Sequence, residues 1–317
     1  MIKMLCPEPN SFSEKGLDYA RSFVELTATS LSKKEFYEVA NNYDAILIRF
    51  NTKIDSSFFK NKTNLKAIIS PTTGLDHIDL ESARQKGVEV FHLCGEDNFL
   101  KTISGTAELT IGLMISIMRN IPQSFDSVQK GVWDAGSFWG NELSGKVLGI
   151  IGCGRLGTKV ARTAIAMNMG VVGYDPFISK FPEGVVPKNN QLEVLSSAHI
   201  ISLHVPLNAN TTHLISHKEF NQMKSGVIII NSSRGAIIET SAFIENLENG
   251  KIAGAAIDVM EDEHLFLKKK HQLVKYASAN NNLIITPHIG GATYESVEKT
   301  DLFILRKFEK ELSKNHE

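Results

Sequence analysis

Cysteine is scarce in this chain, and what there is carries no pattern. Cys6, Cys94 and Cys153 are scattered over 317 residues. They fit neither a disulfide framework nor a metal-ligand spacing, and an odd, sparse count suits a reducing cytoplasm. Charge imbalance is also lacking: 34 Lys and Arg against 35 Asp and Glu leave a formal net charge of −1. That removes the electrostatic case for nucleic acid or an anionic membrane surface as a partner. No run approaches the roughly 20 apolar residues of a membrane span. The N-terminal MIKMLCPEPN has neither the apolar core nor the cleavage pattern of a secretory signal. No internal repeat or low-complexity linker interrupts the chain. The remaining composition, 42% apolar and 22% charged, is that of an ordinary soluble globular protein, and the length suggests two domains.

What is present is a glycine-rich turn in the middle of the chain. Lys146–Gly157 reads KVLGIIGCGRLG: an apolar run from Val147 to Ile151 enters Gly152-x-Gly154-x-x-Gly157, and Asp175 follows 18 positions later at the end of VVGYD. A buried strand, a tight turn, a helix start and an acid after the next strand make the dinucleotide fingerprint. The first glycine permits the turn, the second lets backbone approach a pyrophosphate, and the third lets helix and strand pack closely. The helix N-terminus adds free N–H groups and partial positive charge. Asp175 would accept hydrogen bonds from ribose hydroxyls and repel a 2′-phosphate, which favours NAD over NADP. Cys153, inside the turn, reads as a small tolerated residue.

Short apolar runs alternate with helical patterns on both sides of this turn. Upstream, strands are expected at Ile2–Cys6, Phe23–Leu26, Ala45–Ile48, Ala67–Ile69 and Val88–Phe91, with helices such as Lys33–Asn41 and Leu80–Lys86 between them. Downstream, six strands are expected, at Val147–Ile151, Gly170–Tyr174, Ile200–His204, Val227–Asn231, Ala253–Ile257 and Leu283–Thr286. That rhythm predicts α/β architecture with two doubly wound parallel sheets. A Rossmann nucleotide domain, residues 100–287, would be inserted into a flavodoxin-like substrate domain, residues 1–99 plus 288–317, with the active site in the cleft between them. A helix from Thr106 to about 121 is apolar almost all round and reads as buried between domains or subunits, which suits a homodimer. Gly131–Leu143 reads as a packed loop served by Trp133 and Trp139. Lys268–Lys270 with Asn280–Asn282 reads as an exposed loop, and the tail from Thr293 as an amphipathic helix.

Three polar segments end predicted strands: NSSRG with Arg234, AAIDVMEDE with Asp258 and Glu263, and TPHIGG with His288. Strand C-termini are where doubly wound sheets place ligands. Each residue also has a plainer reading: Arg234 as a cap or surface ion pair, Glu263 as part of a solvated acidic run, His288 as a packed turn residue.

Taken together, GCGRLG, YDP, HVPL, NSSRG, AAIDVMEDE and TPHIGG, preceded by TTGLDHIDL, GTAEL and GVWDAG, resemble the D-isomer-specific 2-hydroxyacid dehydrogenases over about residues 44–300. The resemblance implies hydride transfer between NAD and C2 of a small 2-oxo or 2-hydroxy acid. Arg234 would anchor the substrate carboxylate, His288 would be the acid/base, and Glu263 its partner. Thr73 and Gly74 would offer backbone N–H groups to the carboxylate. Arg49 would be a second anion contact, with a salt bridge as its alternative. On the cofactor side, Gly152, Gly154, Arg155, Leu156 and Gly157 would face the pyrophosphate. Val205 and Pro206 would line the adenine pocket, and Ser232 and Ser233 the nicotinamide side. Thr106 would contact phosphate or ribose, Asp258 would approach the nicotinamide amide, and Gly290 would complete the cofactor set. Two positions depart from the family pattern: His264 stands where proline is common, and Gly105 where serine is usual. An NAD-sensing corepressor on the same fold is the alternative from another functional class. Phosphoglycerate dehydrogenases, and relatives that oxidise formate or phosphite, are the neighbours within the fold.

Overall fold

The computed structural model describes residues 1–60, 64–263 and 271–314. His264 and Lys268–Lys270 lie outside them. The chain forms two compact units: Met1–Ile103 joined by the C-terminal segment from Ala292, and Ser104–Gly291.

The smaller unit holds five parallel strands, β1 (Lys3–Cys6), β2 (Glu25–Ala28), β3 (Ala45–Leu47), β4 (Ala67–Ile69) and β5 (Glu89–Phe91), in the order β2-β1-β3-β4-β5. Side chains alternate across the sheet, so neighbouring apolar residues serve opposite faces. Met4, Leu47 and Ile69 pack on one face, with Ile304, Leu305 and Phe308 of the C-terminal helix Tyr294–Lys314. Leu5, Ile46 and Ile68 pack on the other, with Phe36 of the helix Lys33–Val39 and with Ala83. Covering both faces explains why the strands read as continuous apolar runs. Ser32 starts Lys33–Val39 with a capping box, its side chain accepting from Glu35 N while the Glu35 side chain reaches back.

The larger unit holds seven strands among the described residues, one more than expected: β6 (Val147–Ile151), β7 (Gly170–Tyr174), β8 (Val185–Pro187), β9 (Ile200–Leu203), β10 (Val227–Asn231), β11 (Ile252–Ile257) and β12 (Leu283–Ile285). Their order is β12-β11-β10-β9-β6-β7-β8, all parallel. The additional strand, β8, is three residues long and ends in Pro187. It shows no periodicity to read, and proline is tolerated because β8 is an edge strand. Ile151, Ile201, Ile229 and Ile257 face one layer with Phe220 and Phe243. Leu148, Ile150, Ile230 and Ala256 face the other.

The helix expected from Thr106 runs Gly105–Met118 and stops at Asn120, whose φ of 52° is left-handed; a separate helix, Ile121–Gln129, follows. The first helix buries seven residues, five of which, Ala107, Leu113, Met114, Ile117 and Met118, join its own unit's core. The stretch after the second is not a packed loop: Trp133 is 89% and Trp139 86% exposed. Ahead of Asn280–Asn282 the structure has a helix, Gln272–Ala279, with Leu273 and Tyr276 buried, where an exposed loop was expected.

Candidate active site

Adjacent strands β10, β11 and β12 end side by side, and each delivers one of the three candidate catalytic residues. After β10, Asn231 is buried and shapes the turn. Its Oδ1 accepts from Ser233 N at 3.0 Å and Ser233 Oγ at 2.9 Å, and its Nδ2 donates to the Arg234 carbonyl at 3.0 Å. Arg234 leaves this turn with extended backbone, φ −142°, and its Nη1 donates to the Ser233 carbonyl at 2.8 Å.

After β11, Asp258 is 1% exposed and joins two strand ends. Its carboxylate accepts from Thr286 Oγ1 at 2.5 Å, Ile289 N at 2.9 Å and Gly290 N at 2.7 Å. Those bonds hold the turn after β12, where His288 sits at φ 56°. A non-glycine residue there is held against its backbone preference. His288 N donates to the carbonyls of Asp258 at 2.9 Å and Thr286 at 3.0 Å.

Glu263 meets His288. Glu263 Oε1 lies 2.6 Å from His288 Nδ1, with side chains 35% and 23% exposed. A carboxylate accepts, so Nδ1 is the donor and Nε2 faces away from the acid. The pair can hold one imidazole tautomer and fix the orientation of the ring.

The glycine turn ends β6 where the strand order reverses, between β6 and β9. Gly152 has φ 91°, and a Cβ there would stand 2.6 Å from the His204 carbonyl and 2.9 Å from Val205 Cγ1. A Cβ on Gly157 would strike the Gly152 carbonyl at 2.1 Å. Gly154 differs, because a Cβ there meets nothing within 4 Å among the described residues. It caps the helix Arg155–Ala166, whose first residues are Arg155 and Leu156, and no side chain caps that end. Asp175 accepts from Cys153 N at 2.9 Å and Phe177 N at 3.0 Å, one bond to each oxygen. Pro206, beside Val205, accepts at its carbonyl from Thr211 Oγ1 at 2.6 Å. Thr106 packs where a Gly290 Cβ would be, 3.2 Å away, and Thr110 Oγ1 links the Thr106 carbonyl to Ser232 Oγ, both at 2.7 Å. Burial pushes the Cys153 thiol up to about 12, which keeps it protonated.

In the smaller unit Arg49 is engaged. Its Nη2 lies 2.6 Å from Asp301 Oδ1 and 3.0 Å from Thr300 Oγ1, with side-chain exposures of 14% for Arg49 and 0% for Asp301. Thr73 is exposed, and the neighbouring Thr72 Oγ1 donates to the Gly74 carbonyl at 2.9 Å. Beneath that loop, Ser70 Oγ is 2.9 Å from Thr72 Oγ1 and 3.3 Å from His77 Nε2.

Asn231, Thr286 and Thr110 escaped the sequence reading. For Asn231 and Thr286 the available signal was a short polar side chain at a strand end, the residue type that bonds its own turn; Thr110, inside the helix Gly105–Met118, carried none.

Residues 111–290 match a family model described as the D-isomer specific 2-hydroxyacid dehydrogenase, NAD binding domain. The chain belongs to that family. It is 38% identical over 300 residues to a D-3-phosphoglycerate dehydrogenase from Archaeoglobus fulgidus, a match that covers 93% of this chain but 54% of that protein. The chain thus spans little more than half the length of that relative. A hydroxypyruvate reductase from Thermotoga maritima is 34% identical over 291 residues, 91% of each chain. The crystal structure of the TT0316 protein from Thermus thermophilus superposes with a TM-score of 0.82 at 30% identity, covering 96% of this chain and 94% of that one. The residues fit NAD: the space beside Gly154 and the uncapped helix end suit a pyrophosphate, and Asp175 retains lone pairs for ribose hydroxyls. Among the described residues no helix is long and apolar enough to cross a membrane.

Proposed function

We propose that this dehydrogenase-family chain is an NAD-dependent oxidoreductase acting on the CH–OH group of a small D-2-hydroxy acid, or on the corresponding 2-oxo acid in reverse. The observation that carries it is the 2.6 Å Glu263–His288 pair at the end of the sheet that also delivers Arg234. NAD, when bound, supplies or takes up the hydride. Arg234 holds the substrate carboxylate and polarises the 2-oxo group through a planar fork. His288 gives a proton from Nε2 to the carbonyl oxygen in reduction and takes it back in oxidation. Glu263 fixes the imidazole tautomer, leaving Nε2 for the substrate oxygen. Thr73 and Gly74 are proposed to offer backbone N–H groups to a carboxylate, whereas the Asp301 ion pair favours a structural role for Arg49. Asp258 serves the site by holding the His288 turn beside the nicotinamide. Asp175 selects NAD by repelling a 2′-phosphate.

The relatives' names direct the test: NADH oxidation with hydroxypyruvate, 3-phosphohydroxypyruvate, glyoxylate, pyruvate, phenylpyruvate and 2-oxoglutarate, with NADPH as control. Turnover of at least one 2-oxo acid with NADH preferred is expected. No turnover with any of them contradicts the reading and favours an NAD-sensing binding protein.

A homodimer is the expected assembly. Its contact is assigned to the segment Ile121–Trp139, because the helix before it is committed to its own core. Phe125, Trp133 and Trp139 are 63%, 89% and 86% exposed, with Ile121, Val128 and Val132 beside them in sequence. At about 150–250 Å² per aromatic side chain, these residues approach the roughly 800 Å² per partner of a stable interface. Sedimentation at the single-chain mass of 35.0 kDa would contradict it. The three free cysteines agree with the cytoplasm as its compartment.

A further inference from the structure

Glu261 stands two residues before Glu263, and the proposed mechanism gives it no task. In the sequence it is one of three consecutive acids, a pattern that usually marks a solvated surface. The structure uses it otherwise. Glu261 Oε1 lies 2.8 Å from His213 Nε2, and Oε2 accepts from Thr240 Oγ1 at 2.9 Å. Its carbonyl lies 2.8 Å from His271 Nε2. His271 Nδ1 accepts from Leu273 N at 3.2 Å, so Nε2 carries the proton and donates to Glu261. One residue thus gathers three separate segments. Burial works to raise the Glu261 carboxyl, but the His213 and Thr240 bonds prevail and hold it below the usual carboxylate range.

These partners surround the Arg234 turn. His213, at φ 51°, donates its backbone N–H to the Ala236 carbonyl at 2.8 Å, and Ala236 lies in the single helical turn that Arg234 caps. Thr240 opens the helix that follows that turn. The two turns also touch directly: a Cβ on Gly235 would stand 1.8 Å from the Met260 carbonyl carbon and 2.1 Å from Glu261 N. On the other side, Met260 N donates to Glu263 Oε2 at 3.4 Å. The Arg234 turn and the Glu263 turn therefore meet backbone to backbone at Gly235, and Glu261 secures that meeting from both flanks.

We propose that Glu261 is a positioning residue that clasps the Glu263-bearing turn to the Arg234-bearing turn through His213, Thr240 and His271, setting the carboxylate anchor in register with the His288–Glu263 pair. It touches neither substrate nor cofactor. The inference rests on the roles proposed for Arg234, Glu263 and His288. Its magnitude follows from geometry: a displacement of about 1 Å in a reacting constellation costs on the order of 100-fold.

The test compares Glu261→Ala and Glu261→Gln with wild type. The glutamine oxygen still accepts from His213, and its amide still meets the Thr240 hydroxyl, so Gln keeps the clasp without the charge. Four quantities are read: NADH affinity, turnover and KM for the preferred 2-oxo acid, melting temperature, and the downfield proton resonance of the His288–Glu263 hydrogen bond. Glu261→Ala is expected to lower kcat/KM by about 10–100-fold, mainly through KM, and to weaken the downfield resonance. NADH affinity should stay within about twofold, since the glycine turn is not part of the clasp. Glu261→Gln is expected to restore both catalytic and spectral properties. An alanine variant with wild-type kcat/KM and an unchanged resonance overturns the proposal. So does loss of NADH affinity and melting temperature in both variants, which would make Glu261 a fold residue. If wild type reduces none of the 2-oxo acids yet Glu261→Ala still loses the resonance and Gln keeps it, the clasp stands and the dehydrogenase reading falls.

Discussion

Both units of this protein are built on a parallel sheet whose strand order reverses once, and their chemistry diverges at that reversal. In the larger unit the reversal lies between β6 and β9. It is lined by Gly152, Gly154 and Gly157, and the helix starting at Arg155 ends there with no side-chain cap. In the smaller unit the reversal lies between β1 and β3. There, Glu8 accepts from the backbone N–H groups of Arg49 and Thr52 at 2.9 and 3.2 Å, and Arg49 pairs with the buried Asp301 of the C-terminal helix. Asp301 in turn accepts from Ser13 N and Ser13 Oγ, each at 2.8 Å. One reversal is built from glycines, two packed against backbone and Gly154 bordering space, and the other is filled by side chains that satisfy one another. The topology permits a ligand at both; the residues at the strand ends decide which receives one.

This contrast predicts that function and stability separate. The largest effect is expected in the larger sheet. His288→Ala should lower turnover by about 10²–10⁴-fold, the usual worth of a general acid, with NADH affinity nearly unchanged in a fluorescence titration. Wild-type turnover would remove His288 from the chemistry. Next comes the filled reversal. Asp301→Ala leaves Arg49 and Ser13 N without their buried acceptor, and should cost about 3–5 kcal/mol in denaturant unfolding while NADH affinity holds. A loss of NADH affinity at unchanged stability would assign Arg49 and Asp301 to ligand binding instead.

The two reversals should also answer acid in opposite directions. His204, behind the glycine turn, bonds Ser202 Oγ through Nε2 at 2.8 Å, and its Nδ1 is buried with no hydrogen-bond partner among the described residues. Burial pushes it down to about 4 from an unfolded value of 6.5. Its contribution is therefore complete above pH 6.5 and is lost as pH falls toward 4, because only the unfolded chain takes up the proton in that window. Burial instead raises the Asp301 carboxyl, although Arg49 and Ser13 oppose the shift. Its contribution is complete below the ordinary carboxylate value of 3.8 and is lost as pH rises through the raised one. Unfolding at about pH 7 and about pH 4.5 should show wild type losing on the order of 2–3 kcal/mol more than His204→Asn. Equal losses would contradict a buried neutral imidazole.

The sheets were legible because both faces of each are covered. Val147–Ile151, Gly170–Tyr174, Val227–Asn231 and Ala67–Ile69 form strands where the apolar runs place them. The short edge strand Val185–Pro187 and the helix break at Asn120 were not, since one lacks periodicity and the other depends on a single left-handed residue. Trp133 and Trp139 misled because an aromatic pair reads as packed, whereas both are exposed. For the site, motif residues were readable one by one. The contacts that connect them, Asp258 to the His288 turn and Glu261 to His213, join residues 28–48 positions apart and have no local signature.

The smallest expected effect tests the central contrast most directly. Gly154 has an ordinary φ of −68°, and a Cβ there meets no atom of the described residues within 4 Å, so Gly154→Ala is expected to leave the fold intact. That methyl would occupy the space assigned to the pyrophosphate. NADH titrated into wild type and Gly154→Ala, with melting temperatures read in parallel, should show a dissociation constant raised about tenfold, equivalent to about 1.4 kcal/mol, at an unchanged melting temperature. An unchanged dissociation constant would contradict the assignment of the open reversal as the nucleotide site.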